Sequence, residues 1–321
     1  MRIALATPSA HGLPTGNRAT ARRWTAIWRR LGHRVVAAGG AGAAAQPPDL
    51  MVALHARKCA GVVAAFRRTW PGRLVILALA GTDLYPRLTP AAGRAVAAAD
   101  RLVVLQPLAL AALPKPARAK ARVIYQSAAI PPSPRPSRGR RRAPAFTVLV
   151  AAHLRGVKDP LRAALASRQL PRSSTIQVVH AGGALTLAWA ARAEAEMRRN
   201  PRYRWLGPLT PAQTRRRMVA AQLCVVSSRL EGGPNVISEA AVAGLPVLAS
   251  RVAGNVGLLG RTYAGYFPAG DSAALARLML RAENDGKFLA GLRRQIRAQA
   301  RFFTPQRERT AWRRLLAELR R

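Results

Sequence analysis

The stretch Ser228-Arg-Leu-Glu231-Gly-Gly-Pro-Asn-Val-Ile-Ser-Glu239-Ala-Ala-Val-Ala-Gly-Leu-Pro-Val-Leu-Ala-Ser250 sets two carboxylates, separated by seven residues, around a glycine pair. An apolar run ends just before it, and the pattern after it is helical. Gly232 and Gly233 let a backbone come close to a ligand. The N–H groups at the expected helix start, near Asn235 and Val236, have no intrahelical acceptor and form an anion site suited to a diphosphate. Glu239, expected in the first turn of that helix, is close enough to bond ribose hydroxyls beside such a diphosphate. Glu231, at the turn entrance, can accept hydrogen bonds from sugar hydroxyls. Each acid also has a plainer reading: a first-turn acid favours the helix dipole, and a loop acid is a surface charge. Only 13 Asp and Glu occur among 321 residues, which gives weight to any carboxylate beside a Gly-rich turn.

The elements that must position these residues alternate between short apolar runs and amphipathic stretches. In the first half the expected strands are Ile3–Thr7, Arg34–Ala38, Leu50–Leu54, Leu74–Leu79, Arg101–Leu105 and Arg122–Tyr125. Helical patterns lie at Asn17–Leu31, Lys58–Arg68, Ala91–Ala98 and Pro107–Leu113. Gly39–Gln46 lacks the G-x-G-x-x-G spacing and reads as a loop. The Pro- and Arg-rich segment Pro131–Pro144 can form neither a helix nor a central strand, and it reads as a linker. The alternation then restarts. Strands are expected at Phe146–Ala151, Ile176–His180, Tyr203–Leu206, Leu223–Val226, Pro246–Ala249 and Gly265–Phe267. Helices are expected at Pro160–Ser167, Leu185–Arg199, Pro211–Ala220, Val236–Ala243, Ser272–Glu283, Gly286–Phe302 and Pro305–Leu319. Strands separated by helices imply parallel sheets covered on both faces. The expectation is two doubly wound α/β domains, residues 1–135 and 136–303, with a ligand in the cleft between them. Residues 304–321 form a last helix that crosses back onto the first domain.

Composition excludes several alternatives. Half the residues are hydrophobic, which argues against disorder, and no window is long and apolar enough to span a membrane. The N-terminal apolar run is too short for a signal peptide and reads as a first strand, so a cytoplasmic location is expected. Cys59 and Cys224 sit in different halves among apolar residues and read as reduced, buried thiols. The five histidines show no metal-ligand spacing. The net charge is +40, from 53 Lys and Arg. Those residues are spread along every helix, aromatics are only 5%, and no nucleic-acid-binding motif appears, so nucleic acid is not the expected ligand. Any concavity in such a protein attracts phosphates.

Glu231, the glycine turn, Glu239 and Ala243-Gly-Leu-Pro-Val-Leu-Ala-Ser250 resemble the nucleotide-sugar motif of GT-B glycosyltransferases of family GT4. The resemblance implies a GT-B fold of two Rossmann-like domains, with Glu231 on the donor sugar and Glu239 on the nucleotide ribose. Ala151-Ala-His153-Leu-Arg155-Gly-Val-Lys158-Asp-Pro160 is similar to the family's Gly-Arg-Leu…Lys segment, whose Arg and Lys clamp the diphosphate. The carry-over puts the lysine role on Lys158. His153 stands where Arg is usual, and Arg155 lies two residues on. Two cations would neutralise the charge developing on a departing UDP. No Asp-x-Asp occurs and GT-B enzymes typically need no metal, so neither a metal nor a cofactor is expected.

A narrower resemblance, to the selenosugar synthases of selenoneine biosynthesis, runs through most of the chain. It is carried by Thr7-Pro-Ser…Thr15-Gly-Asn-Arg-Ala-Thr20, Leu54-His-Ala-Arg57, Gly81-Thr-Asp-Leu-Tyr85, Leu102-Val-Val-Leu-Gln106, Val123-Ile-Tyr-Gln-Ser127, His153–Pro160, Asn200-Pro-Arg-Tyr-Arg-Trp-Leu-Gly207 and Gly254-Asn-Val-Gly-Leu-Leu-Gly260. It implies transfer of a sugar from a UDP-sugar, notably UDP-N-acetylglucosamine, to selenophosphate. A selenophosphate synthetase and a C–Se bond-forming iron enzyme would be pathway neighbours. A compatible acceptor site can be read from the residues. Gly16-Asn17-Arg18 opens the first helix as another anion-binding N-terminus, Gly16 grouped with the nucleotide-sugar contacts and Asn17 and Arg18 with the acceptor. His11 could reach the acceptor from the loop before. His55 and Arg57 end the third strand, and Thr82 and Asp83 follow the fourth. A selenide anion is already ionised, so no catalytic base is expected. The competing readings are a GT4 enzyme acting on a sugar or lipid-linked acceptor, for which Arg22-Arg-Trp24…Ile27-Trp28-Arg-Arg30 offers a weak membrane-facing helix, and a charge-driven polyanion binder.

Overall fold

The computed structural model describes residues 1–8, 16–38, 46–129 and 145–319. His11 and the 131–144 linker, with the expected domain boundary inside it, lie outside the described residues.

The first half runs β1 (Arg2–Ala6), α1 (Gly16–Arg30), β2 (Arg34–Ala37), β3 (Leu50–Leu54), α2 (Ala60–Thr69), β4 (Leu74–Leu79), α3 (Pro90–Ala98), β5 (Arg101–Val104), α4 (Leu108–Ala111), α5 (Lys115–Arg118) and β6 (Ala121–Val123). Among the described residues the strands form one six-stranded parallel sheet in the order β2-β1-β3-β4-β5-β6. Every residue of β3 is buried. Met51 and Ala53 enter one core cluster, Leu50, Val52 and Leu54 the other. A strand covered on both faces needs apolar residues at every position, and the period of two sends them alternately to each side. The helix expected over Pro107–Leu113 is present as the shorter α4, and a second short helix, α5, for which no helix was expected, follows Pro114.

The second half runs β7 (Thr147–Ala151), α6 (Arg162–Ser167), β8 (Gln177–Ala181), α7 (Leu187–Arg199), β9 (Tyr203–Trp205), α8 (Pro211–Ala220), β10 (Leu223–Val226), α9 (Asn235–Ala243), β11 (Val247–Ser250), α10 (Ala253–Leu259), β12 (Tyr266–Phe267), α11 (Ser272–Asn284), α12 (Gly286–Ala300) and α13 (Pro305–Glu318). Its strands form a second six-stranded parallel sheet among the described residues, in the order β12-β11-β10-β7-β8-β9. Helix starts follow local chemistry. Thr210 and Gln213 form a capping box on α8, and Asp271, Asp285 and Thr304 cap α11, α12 and α13. The sequence reading assigned no helix to Ala253–Leu259, whose glycines mask the pattern.

Two compact units result. The first is Met1–Ser127, Leu230–Pro234 and Thr304–Arg321; the second is Ala128–Arg229 and Asn235–Phe303. Helix α13 thus belongs to the first unit. Trp312 is fully buried there against Trp24 and Trp28 of α1, with ring centroids 4.8 and 4.9 Å away. Beneath them Glu308, 2% exposed, accepts from Arg23 Nε, Trp24 Nε1 and the backbone N–H of Ser127.

Candidate active site

In an open parallel sheet the crevice for a ligand opens where neighbouring strands send their connections to opposite sides, at the carboxyl ends of the strands. In the second unit that point is between β7 and β10. From β7 emerges His153-Leu-Arg155-Gly-Val-Lys158-Asp159, and from β10 Ser227-Ser-Arg229. Gly156–Lys158 is a single 3₁₀ turn, and Asp159 closes it at φ 45°. Asp is one of the few side chains that tolerates this region, because its carboxylate can bond locally. Here both carboxylate oxygens meet Arg162, at 2.9 and 3.3 Å, and Arg229 Nε lies 3.8 Å away. The two segments are sewn together. Arg229 N donates to Val157 O (2.9 Å), and Ser227 Oγ donates to the carbonyls of Asp159 (2.9 Å) and Lys158 (3.3 Å). Half-buried Lys158 and Arg155 are therefore held beside the segment that leads to the glycine turn. The ring of His153 is bound sideways, its Nδ1 accepting from Gly183 N at 3.1 Å.

Helix α9 starts at Asn235, so the first-turn amides that lack an intrahelical acceptor include those of Asn235 and Val236. Glu239 is then the fifth helical residue and not a first-turn acid, as the sequence reading had it. This weakens the helix-dipole explanation, since that effect fades beyond the first turn. Glu239 is half-buried, and its charge adds to burial in pushing the Cys224 thiol up to about 12. Ser228 is anchored from behind: Ser250 Oγ donates to its carbonyl at 2.5 Å, and Asn255 Nδ2 donates to Ser250 O at 2.9 Å. Ser227, Ser250, Asn255 and Asp159 were not singled out from sequence. For Ser227 and Ser250 the signal is a polar residue at or just after the end of an apolar strand; Asp159 and Asn255 carry no such mark.

Glu231, Gly232 and Gly233 fall in the first unit. Glu231 is 8% exposed. Protein packs closely against both glycines. A Cβ on Gly232 would overlap the carbonyl of Ala80 and the Cα of Gly81, and one on Gly233 would press on Leu105. Gly81 itself is at φ 118°, and a Cβ there would overlap Gly232. Gln126 holds the turn, donating from Nε2 to Gly233 O at 2.8 Å while its Oε1 accepts from Thr20 and from Arg23.

In the first unit's own sheet the point of divergence is between β1 and β3. The start of α1, with Gly16, Asn17 and Arg18, lies on the connection leaving β1, and His55 and Arg57 follow β3. Arg18 and Arg57 are exposed. His55 is 3% exposed and adopts φ 95°, a strained conformation for a residue with a Cβ. Burial lowers its pKa despite the nearby Asp83 charge, so the imidazole is neutral. Its Nε2 lies 3.0 Å from Thr82 Oγ1. Asp83, expected to face a ligand, is turned inward. It is 1% exposed, and its carboxylate accepts the backbone N–H groups of Ala56 (2.7 Å), Gly81 (2.7 Å) and Ala80 (3.2 Å). A carboxylate with three amide donors positions its loop and has little capacity left for a ligand.

The apolar face of α1 is also occupied. Trp24, Ile27 and Trp28 are all buried in the core. Among the described residues no helix is long and apolar enough to cross a membrane, and no cluster of three or more potential metal ligands occurs.

Residues 146–285 match the family described as glycosyl transferases group 1. No curated protein matches the chain in sequence. Among solved structures, HepE from Anabaena in complex with UDP-glucose is similar over 99% of this chain and 99% of its own, at 17% identity and TM-score 0.79. Sucrose-phosphate synthase from Thermosynechococcus elongatus covers 99% of this chain and 98% of its own, at 18% identity and TM-score 0.79. A glycosyltransferase from Rickettsia africae covers 99% and 97%, at 11% identity and TM-score 0.67. At these identities the likeness carries the fold. The two Rossmann-like sheets form a GT-B fold, and residues 146–285 are similar in sequence to the group 1 glycosyl transferases.

Proposed function

We propose that the chain is a UDP-sugar-dependent glycosyltransferase that transfers the sugar to selenophosphate, with UDP-N-acetylglucosamine as donor. The observation that carries the donor half is local to the second unit: the Arg155–Lys158 turn is bonded to the strand end that leads into α9, so two cations and a helix N-terminus sit at one sheet crevice. UDP or UDP-glucose is bound in the HepE structures of the same fold, which supports the same donor chemistry here. In this reading Lys158, Arg155 and the α9 amides take the diphosphate, Glu239 the ribose and Glu231 the donor sugar, with His153 and Gly16 as further donor contacts. Arg18, Asn17, His11, His55, Arg57 and Thr82 serve the acceptor.

Support for selenophosphate comes from the segments of both halves that resemble selenosugar synthases and from a strongly cationic chain in which a small, multiply charged acceptor is favoured. The buried apolar face of α1 leaves the lipid-acceptor reading without its expected surface. The selenium lone pair forms the bond to the anomeric carbon as the C1–O bond to UDP breaks, and the electron pair leaves on the β-phosphate. No proton need be removed from the nucleophile, and the proposal invokes no metal, since cations and amides neutralise the leaving group.

Incubation with UDP-N-acetylglucosamine and selenophosphate should release UDP and yield a product with the selenium isotope pattern. Glu239→Ala should weaken UDP binding, and Glu231→Ala should lower turnover more than UDP affinity. UDP release without a selenium-containing product would overturn the acceptor assignment. Full activity in both variants would overturn the donor site.

A further inference from the structure

The strained histidine at the end of β3 and the threonine after β4 form a unit whose polarity can be assigned from its partners. Lys58 N lies 3.4 Å from His55 Nδ1 and, as a backbone amide, can only donate. Nδ1 therefore carries the lone pair and Nε2 carries the proton. The nearest alternative acceptor for an Nδ1 proton, Asp83 Oδ2, is 3.6 Å away, too far for a hydrogen bond, and is already taken by backbone amides. The Nε2–H thus donates to Thr82 Oγ1 at 3.0 Å. Among the described residues the Thr82 hydroxyl has no other hydrogen-bond partner, and Thr82 is half-buried. With a lone pair used by His55, its own O–H is left to donate.

The surroundings select what it donates to. Arg57 and Lys58, both exposed, lie two and three residues after His55, and their charges act on the imidazole. The acid of the cluster, Asp83, is buried and saturated by amides. A site of cations and a committed hydroxyl donor suits an oxyanion and offers little to a neutral hydroxyl acceptor. The backbone of His55 is pinned on both sides, its N–H donating to Ala78 O (2.8 Å) and its carbonyl accepting from Cys59 N (3.0 Å). Strain held by such over-determination is a mark of functional sites.

We infer that Thr82 is a hydrogen-bond donor to a small tetrahedral oxyanion of the phosphate class, and that His55 is the positioning residue that commits the Thr82 hydroxyl to donating. The identity of that anion as the glycosyl acceptor rests on the function proposed above; the binding site itself does not.

The test is calorimetric titration of the full chain with inorganic phosphate in the presence of saturating UDP, which occupies the donor site. Thr82→Val, nearly isosteric, should weaken phosphate binding about tenfold or more, and Thr82→Ser should stay within about threefold of the parent. His55→Asn, a residue that tolerates positive φ, should lose several-fold in phosphate affinity with UDP affinity unchanged, which a merely structural role would not produce. Phosphate binding unchanged in Thr82→Val, lost equally in Thr82→Ser, or absent in the parent protein overturns the inference. Failure of the parent to bind UDP overturns the donor reading separately. Titration without UDP, Thr82→Val against parent, then still decides the oxyanion site.

Discussion

Single residues in this protein are assigned their chemistry by what surrounds them, and His180 illustrates how completely. It lies on β8, is fully buried, and is bonded at both nitrogens, Nε2 to Ala152 O at 2.8 Å and Nδ1 to Tyr203 Oη at 2.9 Å. The carbonyl can only accept, so Nε2 carries the proton and Nδ1 accepts from the tyrosine. Burial pushes its pKa from 6.5 down to about 4. The folded state therefore refuses a proton that the unfolded chain takes up below 6.5. The stabilisation is fully present above that pH and is lost as pH falls toward 4. Urea unfolding at pH 7.5 and 4.5 should show the parent losing about 2–3 kcal/mol more than His180→Gln over that interval, although the variant starts less stable. Equal losses in the two proteins would mean that this imidazole does not govern the acid limb. Asp83 teaches the same lesson without titration. It follows Gly81 in a turn, where a ligand-facing acid was expected, yet its carboxylate organises the Ala80–Gly81 and Ala56 backbone.

At the level of elements, the most consequential pairing is that of α1 with α13. Trp312 meets Trp24 and Trp28 edge to face, the latter two tilted to each other, and Glu308 gathers Arg23, Trp24 and Ser127 beneath the cluster. Such a buried carboxylate is tolerable only because its oxygens are saturated by donors, one of them a guanidinium. The cluster joins residues more than 280 positions apart, so the first unit is complete only when the end of the chain has packed. Trp312→Ala should destabilise that unit by about 3–5 kcal/mol. Trp312→Phe should cost much less, since among the described residues Trp312 Nε1 has no hydrogen-bond partner to lose. Denaturant unfolding followed by tryptophan fluorescence measures both, and equal effects would show that shape does not set the loss.

For the whole molecule, the net charge of +40 is the dominant property. It should bring nonspecific association with polyanions, through counterion release, that falls steeply with salt. UDP recognition, if made by a helix N-terminus, a short cationic turn and a ribose-binding glutamate, should depend far less on salt. Binding to heparin and to UDP, each followed from about 50 to 500 mM NaCl, separates the two. The heparin affinity should collapse over that range, and UDP affinity should fall by less than about tenfold. A parallel collapse would favour the charge-driven polyanion binder over the enzyme.

The sequence by itself determined what local patterning can encode. Continuous apolar runs such as Leu50–Leu54, punctuated by helical stretches and a glycine turn, were sufficient for two parallel sheets, for nearly every strand, and for the position of Lys158 and Glu239 relative to strand ends. Periodicity states that a face is buried, but not against what. Only the tertiary structure decided that the tryptophans of α1 meet Trp312 and not a membrane, that Gly232 is a glycine because Gly81 backbone lies against it, and that Gln126 holds the Gly233 carbonyl. Those outcomes rest on packing and hydrogen bonds between segments far apart in the chain, where each residue type is compatible with many partners and close packing selects one.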